Sequence, residues 1–374
     1  MIRLSQSVLD NSEVEAVSRI ILEDGYLGMG AEVGRFEADI ANFLNVPISN
    51  VVCVSSGTAA LHLVVEALLS PGDEVLVPSL TYLSSYQAIS GAGAVPISCE
   101  VDEESLTISL IDAEQKITSK TKAIMPVHYA SNTFELNQID QFAAKYHLRV
   151  ISDAAHSFGC KYQDRLIGSF GDVSCFSFDG IKNITAGEGG AIVTTDQRLL
   201  SIIRDTRLLG VENDSDKRYA GLRSWDFDVT RQGYRYHMSN IFAAIGRSQL
   251  AKFESTFSPI RQKYFNRYKE GLKNLPGILF QKIDSDAELV PHIFPIRVLN
   301  SKRDILKKYL FDKGIHTGIH YKPNHLLTFY KSNFPLPITE KLYDELLTLP
   351  LHPALTSNDI EEIIQQIYLF YNDL

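Results

Sequence analysis

The chain has 374 residues, of which 45% are hydrophobic and 22% charged, and its formal net charge is −9. This composition is typical of a globular protein and excludes a disordered or fibrous chain. The acidic balance, together with the lack of any long run of Lys and Arg, argues against nucleic acid as a partner.

The N-terminal segment and the cysteines indicate where such a protein would work. The first 17 residues carry polar and acidic side chains where a signal peptide has an apolar core, and no later apolar run approaches the length of a membrane span. The four cysteines form no C-x-x-C pair, which favours buried, reduced thiols over disulfides or a metal site. They are Cys53, Cys99, Cys160 and Cys175. We therefore expect a cytoplasmic protein without a metal centre.

Six short apolar runs rich in β-branched residues recur in the first half of the chain, and segments with helical periodicity, such as 59–69 and 136–146, separate them. This alternation predicts βαβ units and a mainly parallel sheet. A seventh run, 189–195, follows a glycine turn closely enough to run antiparallel, so the sheet should be mixed. The six runs are 51–55, 74–77, 95–99, 123–127, 149–153 and 173–178.

The pattern changes after about Phe253. A long charged helix is predicted over 259–275, a strand over 290–299, a helix over 302–313 and a final acidic helix from Asn358. A chain of this length can bury more than one core. We therefore predict a large domain over residues 1–253 and a smaller C-terminal domain over residues 254–374, with one site between them.

Two neighbouring segments carry a carboxylate and an amine. Asp153 ends one predicted strand, and Lys182 comes shortly after another, so both should lie at the rim where open α/β sheets bind ligands. A pyridoxal cofactor needs such a pair, because its aldehyde forms a Schiff base with a lysine and a carboxylate keeps its pyridine nitrogen protonated. Either residue alone would be interpreted as a helix cap or a solvated side chain. Three glycines after the lysine permit close backbone approach to a flat ligand. They are Gly187, Gly189 and Gly190.

Two further segments add polar and aromatic groups. Ser56, Gly57 and Thr58 join a strand to a helix, where backbone N–H groups and hydroxyls can bind a phosphate. Alone this is a weak signal, since Ser and Thr cap many helices. Ser177, five residues before Lys182, could add a hydroxyl. Tyr82 follows the strand 74–77 and could stack on a pyridine ring, although a lone tyrosine beside a strand is more often a core residue.

Taken together, these segments resemble the DegT/StrS family of nucleotide-sugar aminotransferases. The resemblance begins with the glycine-rich segment 25–37 and continues in family order through SSGTAAL, PGDEVLVPSLTY, DAAHSFG, FSFDGIKN and GEGGAIVTT, over nearly the whole chain. It implies the pyridoxal-phosphate (PLP) fold of type I. This is an α/β fold with a mainly parallel, mixed seven-stranded sheet flanked by helices, whose large domain binds the cofactor, and with a smaller α+β C-terminal domain.

The resemblance also implies roles for individual residues. Lys182 would hold the cofactor and act as general acid and base, Asp153 would face the pyridine nitrogen, and Tyr82 would stack on the ring. His156 stands where many members have Gln, close to the phenolic oxygen, where a neutral imidazole can donate a hydrogen bond. The residues expected around the phosphate are Ser56, Gly57, Thr58 and Ser177.

Departures from the family pattern concern the partner subunit and the substrate. In the segment that starts at Gly233, family members often carry an Asn at the third or the fifth position, and this Asn reaches the cofactor phosphate of the neighbouring subunit. Here Arg235 and His237 occupy the third and fifth positions, and Arg235 could bind a phosphate as a charged donor. Asp179, before the lysine, is also unusual, and its role is left open.

The segment 320–325 resembles one that reaches toward the substrate in the family. Its candidate substrate-binding residues are His320, Tyr321, Lys322 and His325. Lys322 is also a candidate for binding the nucleotide diphosphate, as is Arg231.

The resemblance implies a PLP-dependent aminotransferase that moves an amino group from L-glutamate to the C3 or C4 keto carbon of a nucleotide-linked deoxysugar, for amino-sugar and surface polysaccharide or antigen biosynthesis. A homodimer with shared active sites is expected. A sugar dehydratase is the nearest competing function, but in dehydratases the lysine is typically replaced. A decarboxylase or desulfurase of the same fold is a more distant candidate. A non-catalytic regulator is a further one, although it has no need for both Asp153 and Lys182.

Overall fold

Seven strands form the central sheet of the computed structural model, which describes residues 1–332 and 334–372. The strand order is β1-β7-β6-β5-β4-β2-β3, and β7 runs antiparallel to both of its neighbours, whereas the other pairs are parallel. The strands are β1 (Val51–Val54), β2 (Glu74–Pro78), β3 (Val95–Cys99), β4 (Thr121–Ile124), β5 (Arg149–Asp153), β6 (Val173–Ser177) and β7 (Gly190–Thr194). The predicted α/β fold with a mixed, mainly parallel sheet is confirmed.

Helices cover both faces of this sheet, which explains why strand residues of both parities are apolar. In β1, Val51 and Cys53 pack into a core with helices α2, α6 and α9, whereas Val52 and Val54 pack on the other face with α3, α4 and α7. The helices of this region are α1 (Asn11–Arg19), α2 (Ala31–Leu44), α3 (Gly57–Leu68), α4 (Leu83–Gly91), α5 (Leu110–Gln115), α6 (Leu136–Tyr146), α7 (Gln197–Thr206), α8 (Asp214–Tyr219) and α9 (Asn240–Ala251).

A second, antiparallel sheet of three strands lies in the C-terminal part, in the order β8-β9-β10. Its strands are β8 (Ile278–Phe280), β9 (Phe294–Val298) and β10 (Leu346–Leu349). Helices α10, α11 and α13 contribute the apolar side chains of its core. The helices of this part are α10 (Ser258–Leu272), α11 (Arg303–Asp312), α12 (Pro337–Glu345) and α13 (Ser357–Asn372). Sequence patterns did not predict β8, β10 or α12.

Two pairings connect the C-terminal part with earlier residues. Ile2 forms a bridge with Ile315, and the short strand Ala287–Glu288 pairs with Lys161–Tyr162, which in turn pairs with Arg165–Leu166. The division into domains at residue 253 therefore stays a prediction, and the N-terminus packs with the C-terminal part. Within the described residues, no helix combines the length and the apolar character that a membrane crossing needs.

Candidate active site

Asp153 and Lys182 face the same cavity, which has a volume of about 380 Å³. Strands β5 and β6 are parallel neighbours, and Asp153 pairs in register with Cys175 near the end of β6. The loop that follows β6 then brings Lys182 to the same rim of the sheet. Predicted site residues that line the cavity are Ser56, Gly57, Thr58, Tyr82, Asp153, His156, Ser177, Lys182, His320 and Tyr321.

Hydrogen bonds hold the buried Asp153 carboxylate in place. The hydroxyl of Ser85 donates to Oδ2 at 2.7 Å, and the backbone N–H of Ala155 donates to Oδ1 at 3.2 Å. Burial raises the pKa of this carboxyl group, while these hydrogen bonds and the charge of Lys182 oppose the shift. Ser85 was not predicted from the sequence, because it lies in helix α4, far from Asp153 in the chain.

Lys182 is half-buried as a residue, lines the cavity, and forms no ion pair with the described residues. In the described parts of the chain, no carboxylate oxygen lies within 4.0 Å of Nζ. Burial lowers the pKa of Lys182 to about 8, against the opposing charges of Asp153 and Asp179. The Arg261 guanidinium donates to the Lys182 carbonyl at 3.3 Å and thereby fixes the loop against helix α10. An amine in this state can become a neutral nucleophile near physiological pH.

The segment between β1 and α3 forms a polar wall of the cavity. The Ser56 hydroxyl accepts a hydrogen bond from the N–H of Ala59 and caps α3, while the Thr58 and Ser84 hydroxyls lie 2.7 Å apart. Glycine is required at Gly57, since a Cβ there would lie 2.8 Å from Cβ of Ser177. This wall presents a helix N-terminus and hydroxyl groups, which suits an anion.

Close backbone packing also supports this polar wall from behind. A Cβ at Gly190, in β7, would lie 2.5 Å from the carbonyl oxygen of Ser56. Gly190 therefore makes room for the segment between β1 and α3.

Aromatic side chains form the opposite wall. The ring of Tyr82 is 59% exposed, and its centroid lies 5.5 Å from that of Tyr321. The N–H of Ala130 donates to Nδ1 of His156, so the proton of the neutral ring is on Nε2, which lies 3.2 Å from the Tyr321 hydroxyl. Burial lowers the pKa of His156 well below its usual value.

Three more histidines, His128, His292 and His320, lie near His156, and His320 also lines the cavity. Burial lowers the pKa of His128 and of His320 to about 4, and that of His292 well below its usual value. The rings of His156 and His292 lie 4.4 Å apart between centroids. No site role was predicted from the sequence for His128 or His292. These imidazoles are neutral and add no positive charge to the cavity.

Four predicted binding residues lie outside the cavity lining. The buried His325 ring is held by the Ser79 hydroxyl at 2.7 Å and by Glu340 at 3.1 Å. Arg231, Arg235 and Lys322 are exposed. Asp179 and Glu188 do line the cavity, together with Thr81 and Ser84. Among the described residues, no group of His, Cys, Asp and Glu side chains suited to a metal ion is found.

Comparison with known proteins identifies the family to which this arrangement belongs. Residues 8–368 match the family model described as the DegT/DnrJ/EryC1/StrS aminotransferase family. The chain belongs to this family. The predicted family and enzyme class are therefore confirmed, and the protein is an aminotransferase of the PLP-dependent class.

Individual relatives cover nearly the whole chain. The dTDP-4-dehydro-2,3,6-trideoxy-D-glucose 4-aminotransferase of Saccharopolyspora spinosa is 32% identical over 98% of this chain and 96% of its own. The spore coat polysaccharide biosynthesis protein SpsC of Bacillus subtilis is 31% identical over 97% and 95%. The PLP form of the putative sugar aminotransferase Spr1654 of Streptococcus pneumoniae has a TM-score of 0.90 at 27% identity and covers 100% of this chain and 99% of its own.

Proposed function

We propose that this aminotransferase moves an amino group from L-glutamate to the C3 or C4 keto carbon of a nucleotide-linked deoxysugar. The product would serve amino-sugar and surface polysaccharide or antigen biosynthesis in the cytoplasm. The observation that carries the proposal is the pair Asp153 and Lys182 at one cavity. The S. spinosa relative acts on a dTDP-linked keto-sugar, and SpsC takes its name from polysaccharide biosynthesis, which supports the sugar substrate.

The residues of the cavity fit pyridoxal phosphate. The buried Asp153 carboxylate suits a protonated pyridine nitrogen, which would replace the solvent that this group has lost. The exposed ring of Tyr82 offers a flat apolar surface, and the wall of Ser56, Thr58 and Ser177 offers hydroxyls for the phosphate. When bound, the cofactor supplies an electron sink for the bonds made and broken at the substrate carbon.

The side chains of the cavity hold the cofactor, donate hydrogen bonds and move protons. Lys182 carries the amine that holds the cofactor and, once free, can move a proton from one carbon to another as a general acid and base. His156 keeps its proton on Nε2 and can donate it in a hydrogen bond to an oxygen in the cavity. The Tyr321 hydroxyl contacts Nε2 of His156, and Tyr321 lines the same cavity as Lys182.

The shortage of positive charge in the cavity favours a site that is completed by a second subunit. Lys182 is the one Lys or Arg side chain among the described lining residues, whereas Asp153, Asp179 and Glu188 are carboxylates. A cofactor phosphate and a nucleotide diphosphate need more cations than this. Arg235 is exposed. Its segment is attached next to the end of β1, since the N–H of Ser55 donates to the Tyr236 carbonyl at 2.6 Å. A homodimer in which Arg235 reaches the partner's phosphate would supply one cation.

Exposed apolar side chains on the preceding segment also favour a dimer. In one chain, Trp225 is 84% exposed and Phe227 55% exposed. Side chains of this size are depleted from the surface unless a partner covers them. Arg231 and Lys322, both exposed, stay candidates for the nucleotide diphosphate.

The competing functions are less well supported. A desulfurase that uses a cysteine nucleophile needs an accessible, acidic thiol. Burial instead raises the pKa of Cys99 and of Cys160 to about 12, and raises the pKa of the other two thiols as well. A sugar dehydratase is disfavoured by the presence of Lys182. A non-catalytic regulator would not need a lysine with a lowered pKa beside a buried carboxylate.

The test is the absorption spectrum of protein loaded with pyridoxal phosphate and freed of excess cofactor. We expect a visible band that L-glutamate converts to a near-ultraviolet band, and we expect keto-sugar nucleotides to reverse that change. Lys182→Ala should fold normally and lose both the covalent attachment and turnover. Absence of the visible band in the unaltered protein would overturn the proposal, whereas a band that resists glutamate would reject only the donor.

A further inference from the structure

Asp179 lies on the wall of the cavity, three residues before the reactive amine. A tight turn holds the two residues together, since the N–H of Lys182 donates to the Asp179 carbonyl at 3.1 Å. The N–H of Ile181 donates to Oδ1 of Asp179 at 3.3 Å, which leaves Oδ2 free. Both side chains line the same cavity. The backbone thus fixes a carboxylate close to the amine without pairing it.

No cation of the described chain neutralises this carboxylate. Within residues 1–332 and 334–372, no Lys or Arg nitrogen lies within 4.0 Å of a carboxylate oxygen of Asp179 or Glu188. The charge of Asp179 acts on Lys182, whose pKa it raises against the effect of burial. It also acts on Glu188, whose pKa is raised by burial and by Asp179.

The other groups around Lys182 do not replace the negative charge that Asp179 directs at its amine. His156, His292 and His320 face it from the neighbouring loops, but burial lowers their pKa values and keeps them neutral. The hydrogen bond from Arg261 to Lys182 goes to the backbone carbonyl and not to the amine. Asp153 also acts on Lys182, but in the proposed function its charge is matched by the pyridine nitrogen. Asp179 then remains as the unmatched acid that acts on Lys182.

We infer that Asp179 is a positioning residue that stabilises the proton on the Lys182 nitrogen while that proton is carried between two carbons. The inference rests on the proposed function. In the first step a substrate C–H bond breaks, an N–H bond forms on Lys182, and the electron pair of the broken bond would pass into the electron sink that a bound cofactor supplies, where it is available to the carbon that accepts the proton. In the second step the N–H bond breaks and the proton goes to another carbon. Between the steps the nitrogen is an ammonium ion whose charge burial disfavours, so a fixed carboxylate nearby stabilises it.

The test measures the proton affinity of Lys182 without the cofactor. Apoprotein is labelled with an amine-reactive acylating reagent over a range of pH, and mass spectrometry follows the modification of Lys182. In Asp179→Asn, which keeps the acceptor for Ile181, we expect the midpoint to fall by about half to one pH unit, so that labelling at pH 7 rises several-fold. Glu188→Gln is the matched control, because it removes a carboxylate of the same cavity whose charge does not act on Lys182. Its midpoint should stay in place.

A second measurement follows the visible band of the cofactor-loaded protein against pH. Asp179→Asn should shift its titration to lower pH, and Asp179→Glu should restore it. An unchanged Lys182 midpoint in Asp179→Asn, or an equal shift in Glu188→Gln, would overturn the inference. If the unaltered protein forms no visible band, the proposed function fails, but the labelling of the apoprotein still reports on Asp179.

Discussion

The hydroxyl of Ser85 donates a 2.7 Å hydrogen bond to Oδ2 of Asp153, across 68 residues of sequence and inside the protein. Helix α4 presents the donor and strand β5 ends at the acceptor. A hydrogen bond to the ionised carboxylate favours its charged form, against the burial that raises its pKa. Ser85 therefore helps to keep a negative charge where the cofactor's pyridine nitrogen would bind.

We predict that Ser85→Ala weakens cofactor binding. Loss of a hydrogen bond to a charged group should cost affinity by roughly tenfold to a hundredfold. Titration of the apoprotein with pyridoxal phosphate, followed by absorbance, measures the change. Ser90→Ala is the control, because Ser90 lies on the same helix but bonds to Tyr86 and Tyr330. Equal affinity in the two variants would contradict the role of Ser85.

We predict that the protein loses stability below about pH 6.5 because of its buried histidines. The pKa of His128 and of His320 is lowered to about 4, so between pH 6.5 and 4 the unfolded chain binds protons that the folded chain does not. Each such histidine should lower the unfolding free energy by up to about 1.4 kcal/mol per pH unit in this window.

Denaturant unfolding at several pH values checks the slope. His320→Asn should make the dependence on pH shallower, since Asn does not titrate and can still bond to Thr348. His147→Asn, at an exposed position whose positive φ Asn tolerates, controls for the His-to-Asn substitution itself. A stability that is flat between pH 7 and 5 would show that the histidines are not held neutral.

We predict that Gly190→Ala disturbs the predicted phosphate-binding segment. The added Cβ would meet the carbonyl of Ser56 at 2.5 Å, so the backbone must shift. Overpacking of this kind should cost about 1–3 kcal/mol of stability and weaken cofactor binding as well. Thermal unfolding with and without pyridoxal phosphate measures both effects. Gly28→Ala, where a Cβ meets nothing within 4 Å, is the control.

We predict that Arg235 acts in the partner's site. Arg235→Ala should bind the cofactor more weakly. Arg198→Ala should not, because Arg198 is exposed elsewhere, on helix α7. The sharper experiment mixes Lys182→Ala chains with Arg235→Ala chains during co-expression. At a cofactor concentration too low to load Arg235→Ala dimers, half of the dimers should contain one intact site if Arg235 works across the interface, which gives about a quarter of normal activity. Activity no higher than that of the two parent variants under this condition would reject a shared site.

Local sequence patterns were enough to predict the elements of the central sheet. Each of its strands is a short apolar run, so its position was readable to within a few residues, and the end of such a run located Asp153. The strand predicted over 123–127 ends earlier, at Ile124, because the chain leaves the sheet near Pro126, and Val127 keeps only a bridge to Asp153. Family-like motifs then gave the enzyme class and several of the residues that line the cavity.

The packing of helices and strands determines which distant side chains meet. Glu37 and Arg207 form a buried ion pair at 2.8 Å beneath β1, and the resemblance of the segment 25–37 to the family did not reveal this partner of Glu37. Ser85 reaches Asp153, and His325 turns away from the cavity toward Ser79. Such contacts join residues far apart in the chain and carry no local period, because they depend on the three-dimensional arrangement of the elements. The sequence therefore located the reactive groups, while the fold set the charges and hydrogen bonds that surround them.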